Sequence, residues 1–218
     1  MTRHERFADK VRVEPRYEVD TLGAPFKVFV LDCVTKKVDP ATRKVLTKIP
    51  DLIGLIKAVV RSRVTHPRKL NGHEIKFIRN ALGIKAIVIA DFFEMSAEHL
   101  SRCESGAKVM SSLIEKSFRL MMFVASFHPN PEELLIEALQ GQQIGETIEK
   151  NFKKPDEVSK KFLEQFLTMK IESVYDASEE LCFEFTREPF DPNDSNRPEE
   201  NNEIEWEPKP KLVCYGGR

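Results

Sequence analysis

The side chains best suited to chemistry in this chain are Ser96, Ala97, Glu98, His99, Ser101, Arg102 and Ser105, whose spacing puts most of them on one side of a short helix. A guanidinium can address the two major-groove acceptors of guanine, or a phosphate. Hydroxyls donate and accept, and a carboxylate can accept from cytosine N4. This is the chemistry of recognition rather than of bond making. The chain contains no G-x-x-x-x-G-K-[ST], G-x-G-x-x-G, G-x-S-x-G or H-E-x-x-H run. The adjacent acids Glu132-Glu133 and Glu179-Glu180 do not share a helix face and read as solvated surface. No enzyme and no cofactor is expected.

The elements that must carry those side chains can be read in order. Asn71-Gly72-His73-Glu74 has the pattern of a capping box, followed by the apolar stripe Ile75, Ile78 and Leu82, and Gly83 ends that helix. A second helix runs from about Lys85 to Phe93. Ser96 caps a third, which ends near Ser105-Gly106, with small Ala90 where the two helices cross, Met95 in the turn and Leu100 facing inward. Two short helices joined by a tight turn, the second polar and arginine-bearing, make a helix-turn-helix that presents a helix to the DNA major groove. An unrelated helical hairpin would reproduce part of this pattern. A fourth helix starts at Ser111 or Ser112 and sends Leu113, Ile114, Phe118, Leu120 and Met121 toward a core.

Upstream, residues 26–34 and 43–49 are rich in β-branched and aromatic residues, and Asp39-Pro40-Ala41-Thr42 between them suits a type I turn. A small antiparallel hairpin is expected, leaning on helices. Pro50-Asp51 opens a helix to about Val64 with Leu52, Leu55, Ile56, Val59 and Val60 on one face. Lys57, Arg61 and Arg63 are placed off it, and Arg68 and Lys69 follow in the linker. These cations form either a phosphate-contacting patch or a solvated helix face.

Downstream, Asn130, Pro131 and Glu133 mark a helix start, with the helix reaching about Leu139. Helical spacing continues over 142–151 and 156–171, while Leu181–Phe185 suits either a helix end or a strand. From Arg187 onward, five prolines among acidic residues and asparagines suggest an extended or disordered tail with apolar anchors at Ile204, Trp206 and Leu212-Val213-Cys214-Tyr215. The expected fold is mainly α: a helix-turn-helix domain of four to five helices, a small N-terminal β-hairpin, C-terminal helices and an acidic flexible tail. The boundaries fall at 1–69, 70–127, 128–186 and 187–218.

The net charge of −1 averages two opposite halves. Residues 1–120 hold 23 Lys+Arg against 14 Asp+Glu, and residues 121–218 hold 11 against 21, giving +9 and −10. The first half suits a polyanion and the second does not. Cys33, Cys103, Cys182 and Cys214 are too scattered for a C-x-x-C pair and read as reduced thiols, and no metal site is expected. The start of the chain lacks an apolar run and no window approaches 18 uncharged apolar residues, so a cytoplasmic protein away from membranes is expected.

Leu82-Gly83-Ile84, Ala90 and the run Ser96-x4-Ser101-Arg102-x-Glu104-x-Gly106 resemble the lambda-repressor-like helix-turn-helix family, also called the XRE family, over residues 71 to about 124. Three stretches resemble more narrowly the MqsA-type antitoxin and regulator group: Leu22-Gly23-Ala24-Pro25-Phe26, Ile49-Pro50-Asp51-Leu52-Ile53-Gly54-Leu55 and Leu70-Asn71-Gly72-His73-Glu74. In that group a zinc-binding module precedes the DNA-binding domain. Residues 34–45 stand here where its paired cysteines would lie, so zinc is expected to be absent and the hairpin to be held by apolar packing.

The resemblance implies that Ser101 and Arg102 contact DNA. It also implies that Glu104 is spent on structure, with Arg79 as candidate partner, and that Gly106 forms the turn after the recognition helix. The chain departs from the family at Ala86, where a phosphate-binding glutamine is common, at Val88, at Glu94, where a turn glycine is common, and at Cys103; Lys85 and Lys108 can restore phosphate contacts. The expectation is a sequence-specific regulator that binds double-stranded DNA as a homodimer, a repressor or antitoxin-like autoregulator, with Arg61, Arg63, Arg68 and Lys69 on phosphates and a possible protein partner through the C-terminal region. The rival is a protein-binding module, antitoxin-like or an adaptor, that has lost DNA readout.

Overall fold

The computed structural model describes residues 12–39, 41–141, 166, 168–173, 179–187, 205–209 and 214–215. The helical patterns at 142–151 and most of 156–171 lie outside the described residues, as do Ile204, Leu212 and Val213. The chain divides into two compact units, residues 1–22, 26–58 and 178–218 in the first and 23–25 and 59–177 in the second.

The first unit is built on a sheet. Strand β2 (Lys27–Val38) pairs antiparallel with β1 (Arg12–Glu18) and with β3 (Val45–Lys48), and parallel with β5 (Cys182–Thr186), whose other side takes β6 (Glu207–Pro208) antiparallel. A separate pair joins β4 (Glu179–Glu180) to β7 (Cys214–Tyr215). β2 lies inside the sheet, and consecutive Val28, Phe29 and Val30 are all buried, the pattern of a strand covered on both faces. Opposite Pro15 the register shifts, so that Asp32 and Cys33 bulge from β2, Asp32 at φ +53°. Proline has no N–H to give to the ladder, so the bulge sits where pairing would be lost anyway.

The architecture is therefore mixed α/β, with six α-helices and a five-stranded mixed sheet among the described residues, which corrects the mainly α expectation. The predicted hairpin exists as β2 and β3 but is only part of the sheet. The sequence carries no strand signal for β1, because Arg12-Val13-Glu14-Pro15-Arg16-Tyr17-Glu18 is charged and carries a proline, as edge strands often do. The ambiguous segment at 181–185 resolves as strand, since burying Phe185 against β2 needs a register partner that local periodicity cannot supply.

The acidic tail is not wholly extended or flexible either. Trp206 is 3% exposed, and its indole Nε1 donates to the Asp51 carbonyl at 3.1 Å while the Arg187 guanidinium lies 5.8 Å from its ring centre. Cys182 is disulfide-bonded, which overturns its reading as a reduced thiol, whereas Cys33 and Cys103 are free. Burial pushes the Cys33 thiol up to about 11, with Asp32 adding to the rise. No helix among the described residues is long and apolar enough to cross a membrane.

Helix α1 (Leu52–Thr65) begins in the first unit, where Asp51 Oδ1 accepts from the Gly54 amide at 2.9 Å, and its second half belongs to the second unit. The division thus falls inside α1. The second unit continues with α2 (Gly72–Ala81), α3 (Ala86–Phe92), α4 (Ala97–Glu104), α5 (Ser112–Ala125) and α6 (Pro131–Leu139). Helix α4 packs on α2 and α3, and α6 on α3 and α5.

Candidate DNA-reading helix and its support

Local signals place α4. The capping box forms as expected: the Asn71 side chain accepts from the Glu74 amide at 2.9 Å, and the Glu74 carboxylate accepts from the Asn71 amide at 2.8 Å. Gly83 takes φ +70° after α2, which a glycine accepts without steric cost. Ser96 caps α4 through a 3.1 Å bond from the His99 amide. In the turn before it, Met95 N donates to the Ala90 carbonyl at 2.9 Å, and Glu94 stands at φ +50°, a conformation that glycine adopts more readily.

Tertiary packing then fixes α4 against α2. A Cβ at Gly72 would stand 2.4 Å from the Cys103 carbonyl oxygen and 2.6 Å from the Gly106 amide, so only glycine lets α2 begin this close to the end of α4. The Arg79–Glu104 pair forms as the resemblance implied, with Arg79 Nε 2.6 Å from Glu104 Oε1 and Nη2 3.0 Å from Oε2. Arg79 Nη1 also donates to the Ile84 carbonyl at 2.8 Å. One buried guanidinium therefore ties together α2, the turn before α3, and α4.

With that anchoring, α4 turns Leu100, Cys103 and Glu104 inward. Ser96, Ala97, Glu98, Ser101, Arg102 and Ser105 are exposed, and His99 is half-buried. The exposed Lys108 joins the C-terminal end of this face, because its amide donates to the Arg102 carbonyl at 2.9 Å. Burial raises the Cys103 thiol, against the lowering pull of Lys108 and Arg102, so this cysteine packs as a neutral side chain.

The other cations proposed for phosphate do not share this surface. Arg63 is fully buried: Nε and Nη2 grip the Glu74 carboxylate at 2.8 Å each, and Nη1 and Nη2 donate to the carbonyls of Arg68 and Lys69 at 3.0 and 3.1 Å. Its assignment to phosphate is corrected, since every donor direction but one is used internally and no water reaches it. Arg119, also fully buried, donates to the carbonyls of Val64, His66 and Arg68 and to Glu115.

The linker between α1 and α2 is thus held by its own carbonyls. Lys69 Nζ lies 3.1 Å from Glu115 Oε2, an ion pair without an aligned hydrogen bond, and donates to the Met110 carbonyl at 3.3 Å. Arg68 is half-buried, and its backbone pairs with that of Glu172, Lys69 N donating to the Glu172 carbonyl and Glu172 N to the Pro67 carbonyl, each at 2.9 Å. Arg61, also half-buried, lies 4.8 Å from the Phe127 ring centre, stacked as a cation on its face. Lys85 is exposed but held: Glu132 accepts from its amide at 2.7 Å and from Nζ at 3.0 Å. Glu132 reads from the sequence as solvated surface, and the one signal that it is otherwise is its place in the first turn of α6.

The chain matches no protein-family model, no curated protein and no solved structure.

Proposed function

We propose that this protein is a sequence-specific DNA-binding regulator in which α4 enters the major groove, with Arg102 and Ser101 as its main contacts to base edges or phosphate and Lys108 as a phosphate contact. The observation that carries the reading is the exposed polar face of α4, held on α2 by the Gly72 contact and the Arg79–Glu104 pair while Leu100 and Cys103 face the core. A helix held by packing presents its side chains without further ordering, which lowers the entropic cost of binding. One short helix reads few bases, so a homodimer acting as a repressor or antitoxin-like autoregulator belongs to the same reading.

Titrating the full chain with the duplex upstream of its own gene, over a salt series, tests this. Nanomolar to micromolar binding that falls with salt is expected, and Arg102→Ala should remove the preference for that duplex over an unrelated one. Undetectable binding at low salt, or a preference untouched by Arg102→Ala, sinks the reading. The rival, a protein-binding module, is favoured by the capture of Lys85 by Glu132 and by the acid Glu98 on the reading face. A stoichiometric protein partner together with no DNA shift would establish it.

A further inference from the structure

The first unit carries a second concentration of charge that the reading of α4 does not use. Residues 36–48 contain five cations, Lys36, Lys37, Arg43, Lys44 and Lys48, and one acid, Asp39. That acid is spent on the turn. Its Oδ1 accepts from the Ala41 amide at 3.0 Å and its Oδ2 from the Thr42 hydroxyl at 2.5 Å. Its backbone closes the loop, Asp39 N donating to the Lys44 carbonyl at 2.9 Å and Arg43 N to the Asp39 carbonyl at 2.8 Å, with Arg43 at φ +56°. Hydrogen bonds thus join the two arms of the turn, and the charges it leaves outward are positive.

All four residues of β3 are exposed, and Arg43 and Lys44 before it are exposed as well. The register sets Thr35 against Lys48, Lys36 against Thr47, Lys37 against Leu46 and Val38 against Val45. Alternation then puts Lys37, Lys48 and Leu46 on one face of the ribbon, and Lys36, Val38 and Val45 on the other. Lys36 lies 3.5 Å from Glu14, but Arg43, Lys44 and Lys48 enter no ion pair among the described residues.

We propose that this β2–β3 ribbon is a sequence-independent contact for the phosphate backbone of double-stranded DNA, carried by Arg43, Lys44 and Lys48. Strand β1 pairs with β2 as far as Lys36, so the end of the hairpin beyond it, at Lys37–Leu46 and Val38–Val45, is two-stranded. Such an end fits the width of a DNA groove, and Arg43, Lys44 and Lys48 on and beside it can meet the phosphates that line the groove. A protein partner fits less well. Protein interfaces concentrate apolar side chains at the centre and are depleted in lysine, whereas here the exposed Val45 and Leu46 are flanked by Arg43 and Lys44 on one side and Lys48 on the other. The proposal takes its ligand from the DNA reading of α4 but uses other residues in the other compact unit.

The test measures binding of the full chain to a 30-base-pair duplex of unrelated sequence and to the duplex upstream of its gene, between 50 and 200 mM salt. The triple variant Arg43→Gln, Lys44→Gln, Lys48→Gln is compared with Arg102→Ala, and melting curves verify folding. The substituted side chains are exposed, so the fold should persist. The triple variant should lose about two to three units from the slope of log K against log salt, equally on both duplexes, and keep the preference for its own site. A triple variant with the wild-type slope overturns the ribbon proposal while leaving α4 standing. Loss of slope in the triple variant, with a preference unmoved in Arg102→Ala, upholds the ribbon and overturns α4. No binding of either duplex by the wild type overturns both. An acidic protein that co-purifies with the wild type and is lost from a triple variant whose DNA slope is normal reassigns the ribbon to a protein partner.

Discussion

Two groups of cations in the second unit have similar residue types and opposite fates. Around the linker at 66–70, Arg63 and Arg119 are fully buried, each matched to a carboxylate and to backbone carbonyls, with Lys69 beside Glu115. On α4 and just after it, Arg102 and Lys108 stand exposed over a tightly packed inner face. A buried guanidinium without its carboxylate costs several kcal/mol, so the first group must be structural. An exposed cation costs almost nothing to leave unpaired, which frees the second group for a ligand. What distinguishes a binding arginine from a structural one is therefore the accounting of its donors, and residue type says little.

Part of that difference is legible in the amino-acid sequence. Arg63 follows Val59 by four residues and Leu55 by eight, so it continues the stripe that buries both. Placing it off the apolar face gave too much weight to its charge. Glu115 and Arg119 are likewise four apart on α5 and both fully buried, a spacing that fits a solvated pair equally well until tertiary packing covers it. The caps at Asn71 and Ser96, the glycine after α2 and the inward Leu100 are legible because they are local hydrogen-bond and packing requirements. The sheet is not, because β5 reaches β2 from the far end of the chain, with β6 beyond it on β5, and parallel pairing of β5 with β2 leaves no local signature.

The largest effect should come from breaking the buried group. Glu74→Ala removes the bidentate partner of Arg63 and the reciprocal half of the capping box. It is expected to cost about 3–5 kcal/mol in denaturant unfolding, the usual penalty for orphaning a buried charge. A loss below about 1 kcal/mol would mean that water reaches Arg63, and the contrast with Arg102 would collapse.

Gly72→Ala asks whether the support of α4 matters as much as its face. The added methyl meets backbone atoms of Cys103 and Gly106 rather than flexible side-chain ends, so about 1–3 kcal/mol should be lost by thermal melting. DNA affinity of the folded protein should also fall, since α4 must move to make room.

Arg102→Ala should give the inverse pattern, about 10- to 100-fold in affinity for the preferred duplex, from one lost bidentate contact, and less than about 0.5 kcal/mol in stability. Equal losses in both measurements would place Arg102 with the structural group. Glu94→Gly sharpens the same contrast in the turn: relieving the φ of +50° should stabilise by about 0.5 kcal/mol, net of the entropy that glycine adds to the unfolded chain.

Lys85 lies between the two groups, exposed like Arg102 and paired like Arg63, and it supplies the finest test. The side-chain bond from Lys85, followed by the bond from its amide, holds the Glu132 carboxyl below its ordinary value near 4.5. A carboxyl whose value is depressed on folding adds stability that is fully present above the unfolded value and fades as the pH falls through the folded one. Melting of the wild type should therefore exceed that of Glu132→Gln by about 1–3 °C above pH 5, with the gap closing as the pH drops below about 4. The same variant releases the Lys85 ammonium while its amide oxygen can still accept from the Lys85 backbone. Where Lys85 belongs with the DNA-facing cations, that release should raise affinity at pH 7 by a few fold and steepen the salt dependence by nearly one unit. Unchanged binding alongside the pH-dependent melting difference would assign Lys85 to the scaffold, confining the readout to α4 and the residues after it.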